Sequence, residues 1–170
     1  MSQASKKVDW CLKKAQKEIL EENTHRGLIE ITPDIKPAGK HIAKAEHNLN
    51  AALDFAKMGY SDWSPSAFFY SMYHCFLAIL SKFGYQSRNQ ECTIATIEML
   101  NEEGKIIIDK KFIATFKTEK DKGEFSTIEL REDFQYGVEM EFKKKEEFER
   151  LENMCKELID ITKNICLGEM

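Results

Sequence analysis

Two residues on one short segment, Arg131 and Tyr136, have the side chains best suited to holding a phosphate group. An arginine guanidinium is planar and permanently charged, so it can pair with two phosphate oxygens, and a tyrosine hydroxyl can orient a phosphate or a water molecule. The alternative is that Arg131 forms an ion pair with Asp133 or with a neighbouring helix. We keep both interpretations and treat the segment as a candidate ligand-binding site.

His74 is a second candidate for ligand binding. It lies in an aromatic-rich stretch between Tyr70 and Phe76, where an imidazole could hydrogen-bond to a ligand or to a second copy of the chain. The alternative is a histidine whose hydrogen bonds are satisfied inside the core or at an interface.

The sequence offers no recognisable metal or covalent-catalysis site. His41 and His47 are not four residues apart, and no carboxylate stands at ligand spacing, so we expect no metal. A glycine-rich phosphate loop, a serine–histidine–acid set and paired catalytic carboxylates are also missing. We therefore assign no catalytic residue and expect no cofactor.

The bulk composition indicates the kind of scaffold that holds these residues. A chain of 170 residues predicts one domain, residues 1–170. Only three prolines and eight glycines interrupt it, which favours long helices over a many-turned β protein. The formal net charge of −4 argues against attraction of the whole molecule to nucleic acid or to an anionic membrane. No apolar run is long enough to span a bilayer.

Apolar residues recur at helical spacing along most of the chain, and this predicts an all-α, up-and-down bundle of about four main helices plus short extra helices. The predicted helices cover residues 5–20, 39–58, 61–83, 89–101 and 142–166, with a shorter helix at 126–136. Residues 106–116 suit a short helix, although 106–108 alone could be a strand. Pro33 and Pro37 predict a non-helical connector up to about Ala38. The helix at 61–83 is apolar around most of its circumference, so we expect it to be the most buried, with Phe69, Met72, Phe76 and Phe83 in the core.

The five cysteines indicate a reducing compartment. Their number is odd, no two form a C-x-x-C pair, and no signal peptide precedes them. Cys75 and Cys155 fall in apolar helical patterns, where a free cysteine acts as a small core residue. We therefore expect a cytoplasmic protein.

Four segments of the chain together resemble the HEPN (higher eukaryotes and prokaryotes nucleotide-binding) family, in its small stand-alone archaeal and bacterial form. Residues 63–80, WSPSAFFYSMYHCFLAIL, resemble the family helix "YYAMFHAA". Residues 84–92, GYQSRNQEC, look like the turn "G-Y-x-S-x-x-H-x-C", and residues 130–137, LREDFQYG, look like "L-R-x-x-A-D-Y-G". The opening DWCL at 9–12, with GLIEITP at 27–33, is similar to a lead-in of archaeal members.

The resemblance implies a helical bundle that forms a homodimer. It also implies association with a nucleotide or RNA, or partnership with a small nucleotidyltransferase. On the matching positions, the candidate ligand-binding residues are Arg131, Tyr136, His74 and Arg88.

The active branch of the family consists of metal-independent ribonucleases with an R-x4–6-H motif, in which the arginine holds the phosphate and the histidine assists proton transfer. None of the four arginines here is followed by a histidine at that spacing. Tyr136 stands where the histidine belongs, and Gln90 stands where relatives often have another histidine. A tyrosine phenol titrates near pH 10 and is a poor base at neutral pH.

These observations predict a non-catalytic accessory protein that binds a nucleotide, RNA or a partner protein. One alternative is a divergent HEPN ribonuclease acting as the toxin of a toxin–antitoxin pair. Another is a helical interaction protein with no ligand.

Overall fold

The computed structural model describes residues 1–117 and 126–168, and this part of the chain is predominantly helical. Its elements in chain order are α1 (Gln3–Glu22), β1 (Leu28–Glu30), α2 (Ile35–Lys57), a 3-10 turn (Ser61–Trp63), α3 (Ser64–Lys82), β2 (Tyr85–Ser87), α4 (Gln90–Glu102), α5 (Lys110–Ala114), α6 (Thr127–Tyr136) and α7 (Lys145–Leu167). None of the helices in the described ranges combines the length and apolar composition needed to cross a membrane. The predicted all-α bundle is confirmed.

Helix α3 occupies the centre of the bundle, as its apolar pattern predicted. Helices α2, α4, α6 and α7 all pack against it, while α1 packs against α4 and β1. Phe69, Met72 and Phe76 are each at most 1% exposed. Phe83 is less deeply placed and is only partly buried against the core, because it lies one residue beyond the helix end.

Helix α2 begins earlier than the prolines suggested. The expectation of a non-helical connector up to Ala38 was wrong, because the helix starts at Ile35 and includes Pro37 in its first turn. The first backbone N–H groups of a helix have no acceptor within the helix, so a proline costs little there. The Asp34 side chain accepts a hydrogen bond from the Lys36 backbone N–H at 2.9 Å and caps this start.

A small antiparallel sheet forms where the sequence pattern did not predict one. Strand β1 pairs with β2 so that Leu28 lies opposite Ser87 and Glu30 opposite Tyr85. Gly84, with φ +86°, precedes β2, and a side chain there would press against Pro33 and the Ile31 carbonyl oxygen. Each strand has only three residues, which is too short for the alternation of apolar and polar residues typical of a strand to be recognised in the sequence.

The apolar run at 106–108 is not a strand. The strand was suggested by the run of three β-branched residues, but these form a loop pressed on the core, in which Ile106 and Ile108 are buried and Ile107 is 90% exposed. The Asn101 side chain makes the backbone hydrogen bonds that a neighbouring strand would otherwise make. Its amide donates to the Ile108 carbonyl oxygen at 3.1 Å, and its oxygen accepts from the Ile108 N–H at 2.9 Å. The short helix that was the other expectation covers only Lys110–Ala114.

A disulfide joins Cys11 on α1 to Cys92 on α4, with Cα atoms 6.0 Å apart. The interpretation of the cysteines as typical of a reducing compartment did not predict this bond. The two residues are 81 positions apart, and only the packing of α1 on α4 brings them together. Cys75, Cys155 and Cys166 are free and buried, and burial raises the pKa of the Cys75 thiol to about 12, so these three act as apolar core residues.

Candidate functional site

Arg131 is presented by α6, a helix of ten residues whose start is well defined. Ser126 caps the helix, and Ser126 and Glu129 form a capping box in which each side chain accepts from the other's backbone N–H. Ile128 and Leu130 are buried toward the core. The next residue, Arg131, therefore lies at the edge between α6 and α3.

The Arg131 side chain packs on α3 and does not pair with Asp133. Its guanidinium carbon is 4.2 Å from the centroid of the Phe69 ring, and Nη1 donates to the Tyr70 hydroxyl at 3.4 Å. Glu132 is at the limit of an ion pair, with its carboxylate 4.0 Å from Nη2. The Nε–H is buried and has no acceptor among the described residues. The interpretation of Arg131 as a residue that contacts a neighbouring helix thus holds, yet much of its donor capacity is unused.

Tyr70 connects Arg131 to a groove between α2 and α3 that contains His74. The groove encloses about 370 Å³. Its walls carry apolar and aromatic groups together with one ammonium group, and the lining residues are Lys44, Asn48, Ala51, Phe55, Trp63, Ser66, Ala67, Tyr70 and His74. Tyr70 and His74 are one helical turn apart on the same face of α3. We call this site the α2–α3 groove.

His74 hydrogen-bonds to His41 on α2, with 2.9 Å between the two Nδ1 atoms. One of these nitrogens must donate a proton and the other must accept it, so the pair is incompatible with two protonated rings. Burial lowers the pKa of both imidazoles, and the nearby His41 and Lys44 help to lower the pKa of His74 to about 4. Both histidines are therefore neutral at physiological pH.

The other two candidate residues lie apart from Arg131 and His74. Tyr136 ends α6 and is 80% exposed, and no hydrogen bond joins it to Arg131. Arg88 follows β2, and its Nη1 lies 3.5 Å from the His25 carbonyl oxygen on the side of the molecule formed by α1 and β1. Of the four candidates, the fold brings only Arg131 and His74 into one neighbourhood, through Tyr70.

Beside the α2–α3 groove lies an exposed apolar patch around the C-terminal end of α6. A second depression of about 200 Å³ is lined by Trp63, Phe134, Val138 and Met140, among others. Trp63 is 57% exposed, Val138 91% and Met140 79%. The segment is anchored by Phe142, which stacks on Phe134 and whose N–H donates to Ser61 Oγ at 2.8 Å. This anchoring role explains why α7 begins at Lys145 and not at Phe142. We call Trp63, Tyr136, Val138 and Met140 the apolar patch.

Sequence reasoning missed most of the groove. Lys44 was not considered, and Tyr70 was named only as a neighbour of His74. His41, the hydrogen-bond partner of His74, was considered only together with His47. The helical spacing of Tyr70 and His74 was the one signal that could have joined two of these residues. In the described ranges, no group of three or more histidine, cysteine, aspartate or glutamate side chains could hold a metal ion.

Comparison with known proteins supports the resemblance seen in the motifs. A search of curated protein sequences gave no match to the chain. The model of the HEPN domain family matches residues 38–165, which run from α2 to near the end of α7 and include the α2–α3 groove, Arg131 and the apolar patch. Because this match covers well over half of the 170 residues, the chain belongs to the HEPN domain family.

Proposed function

We propose that the protein is a non-catalytic HEPN accessory protein that binds the phosphate of a nucleotide or an RNA end in the α2–α3 groove. The observation that supports this most strongly is Arg131, whose guanidinium has unused donors and lies against Tyr70 at the groove edge. Membership of the HEPN family points to a nucleotide- or RNA-related function and agrees with this assignment.

The chemistry of the groove suits a nucleotide. Lys44 in the groove and Arg131, which contacts the groove residue Tyr70, supply positive charge for a phosphate. Trp63 and Tyr70 supply flat aromatic surfaces against which a base can pack. His74, which is neutral, adds a hydrogen-bonding group to the groove without adding charge. A volume of about 370 Å³ lies in the range of small-molecule sites.

Titration with a fluorescent adenosine triphosphate analogue tests the proposal. Arg131→Ala should weaken binding about 10-fold or more, because a charge-assisted hydrogen bond to phosphate contributes roughly 1.5–3 kcal/mol. Arg88→Ala is the matched control, since it removes the same charge on the side of the molecule that carries α1 and β1. Equal affinities for wild type and Arg131→Ala, or no binding by either, would remove the proposal.

We also propose that two copies associate through the apolar patch. Its four side chains are large, apolar or aromatic and mostly exposed, and HEPN domains commonly dimerise. Sedimentation should give a dimer at micromolar concentration, and Val138→Glu with Met140→Glu should give a monomer. The single change Ile107→Glu is a control, because Ile107 is 90% exposed but lies away from the patch, on the loop after α4. A wild-type monomer would contradict the dimer.

Partnership with a small nucleotidyltransferase is part of the same proposal. If the genome encodes such an enzyme beside this gene, co-expression of the two should yield a complex that survives size-exclusion chromatography. If the two proteins elute separately, the accessory role does not involve that partner.

A ribonuclease is the second candidate function, and one observation favours it. His74 lies one helical turn from Tyr70, which contacts Arg131, so an arginine and a histidine share a neighbourhood despite the missing linear motif. Against it, an imidazole with a pKa of about 4 is a weak base. Cleavage of labelled RNA by wild type, lost in both Arg131→Ala and His74→Gln, would favour the ribonuclease over the accessory protein.

A further inference from the structure

Helix α1 lies outside the residues matched by the family model, and its outer face carries a feature that the α2–α3 groove does not use. Trp10 is 51% exposed there. On a helix surface, the nearest neighbours of a residue are three and four positions away. For Trp10 all four of these neighbours are lysines: Lys6, Lys7, Lys13 and Lys14. We call these five residues the Trp10–lysine face.

The lysines surround an accessible aromatic ring. Lys7 Nζ is 4.5 Å and Lys14 Nζ 5.0 Å from the centroid of the Trp10 ring, within the range of cation–π interactions. Lys6 and Lys13 are exposed beside it. An accessible indole inside a ring of ammonium groups is a combination that can hold a base and its phosphates together.

The electrostatics of this face are positive although the whole chain is acidic. Between residues 6 and 17, α1 carries five lysines and a single acidic residue, Asp9. Glu91 pairs with Lys7 at 3.2 Å and offsets one of these charges. Within residues 1–117 and 126–168, no ion pair involves Lys6, Lys13 or Lys14. The local charge therefore opposes the net charge of −4.

The fold holds this face rigidly outward. Val8, Cys11 and Ala15 are buried on the inner face of α1, and Cys11 is bonded to Cys92 on α4. In the groove between α1 and α4 the carboxylates of Glu91 and Glu98 pair with Lys7 and Lys117, so these four groups carry no net charge. The unpaired positive charge of this region is therefore on the outer face of α1, where Lys6, Lys13 and Lys14 lie.

We propose that the Trp10–lysine face binds single-stranded nucleic acid, with Trp10 stacking on a base and the lysines contacting phosphates. An unpaired base is required because the bases of a duplex are already stacked. A membrane surface fits less well, since an interfacial helix inserts an apolar face, and the apolar face of α1 is buried in the core. The proposal is independent of the α2–α3 groove.

Fluorescence of the protein with Trp10 as its only tryptophan tests the stacking. The chain has two tryptophans, so Trp63→Phe leaves Trp10 as the reporter. Titration with a short oligouridylate should quench this fluorescence, and anisotropy of the labelled oligomer should show Trp10→Ala weakening binding between about 5-fold and about 150-fold. Lys6→Ala with Lys13→Ala should weaken it further and lower the salt dependence of log K by about 1.4, or 0.7 for each phosphate contact.

Matched variants test whether binding of the oligomer depends on this face in particular. Tyr60→Ala removes an exposed aromatic ring that lies outside α1 and outside the α2–α3 groove, and Lys143→Ala with Lys156→Ala removes two exposed charges near or on α7. Both should bind the oligomer like wild type, and Arg131→Ala should retain the quenching of Trp10. Four outcomes would overturn the proposal: no quenching, no loss in Trp10→Ala, equal losses in the lysine controls, or tighter binding to anionic lipid vesicles than to the oligomer. Trp10→Ala should keep the circular dichroism of wild type, because Trp10 is 51% exposed and is not one of the residues that form or pack against the hydrophobic core.

Discussion

Removal of the Cys11–Cys92 disulfide should lower the stability of the protein substantially. The bond closes a loop of 81 residues, and the loop-entropy model gives a stabilisation of about 4.5 kcal/mol for that length. Measured effects of disulfides are usually about 2–4 kcal/mol, so the model value is an upper bound. For a chain of this size each kcal/mol shifts Tm by about 2–4 °C, and we expect Cys11→Ala with Cys92→Ala to lower Tm by about 5–15 °C.

A matched double variant separates the crosslink from the loss of buried sulfur. Cys75→Ala with Cys166→Ala also removes two buried sulfur atoms but leaves the disulfide intact. Thermal melts of both double variants are then compared with and without dithiothreitol. The reductant should lower Tm for wild type and for this control, and it should leave the Cys11/Cys92 variant unchanged.

Counting thiols gives the most direct check of the same reasoning. Unfolded but unreduced wild-type protein should react with a thiol reagent at three sites, which are Cys75, Cys155 and Cys166, and at all five after reduction. Five reactive thiols before reduction would refute the disulfide. A Tm that does not respond to dithiothreitol would refute the stabilisation that we calculate from loop length.

Three further predictions concern the core, the histidine pair and catalysis. Phe76→Ala should cost about 3–5 kcal/mol, because the side chain is fully buried and its ring lies 5.1 Å from that of Phe116; an unchanged denaturation midpoint would contradict the core assignment. The pKa of His74 in the folded protein is about 4, below its ordinary value of 6.5. As the pH falls, His74 is therefore protonated in the unfolded chain before it is protonated in the folded protein. The contribution of neutral His74 to stability should therefore be fully present above pH 6.5 and be lost as the pH falls toward 4. Tm measured across this range should fall less steeply in His74→Gln than in wild type. Finally, the purified protein should not cleave labelled single-stranded RNA above background in the absence of metal. Cleavage by wild type that disappears in Arg131→Ala would favour the ribonuclease interpretation over the accessory protein.

The local pattern of the chain was sufficient to predict most of the helices. The apolar stripes of α1, α2 and α7, and the nearly complete apolar surface of α3, follow from periodicity, which depends only on residues within a few turns. The motifs around residues 63–80 and 130–137 were likewise enough to indicate the HEPN family, which the family model confirms. The errors occurred where the pattern was short or where one residue type has two uses. Pro37 suits a loop and also a first helical turn, and β1 and β2 are three residues each.

The candidate site was much less accessible to sequence reasoning. Arg131 and His74 were identified by residue type and by their place in the motifs, but not as neighbours. Their link through Tyr70 spans α6 and α3, and the contact between Arg131 and Tyr70 joins residues 61 positions apart. Tyr136 was grouped with Arg131 because five positions separate them, whereas the helix carries the two side chains to different faces.

The sequence by itself determined the helical class and the central place of α3, because both depend on spacing within a single helix. Only the tertiary structure decided that Cys11 meets Cys92, that His41 shares a proton with His74, and that Arg131 lies on Phe69 with unused donors. The physical reason is the same in each case. Helical periodicity specifies which face of a helix is buried, but the partner on that face is selected by packing between helices, and a polar side chain acquires its hydrogen bonds and its pKa only from that partner.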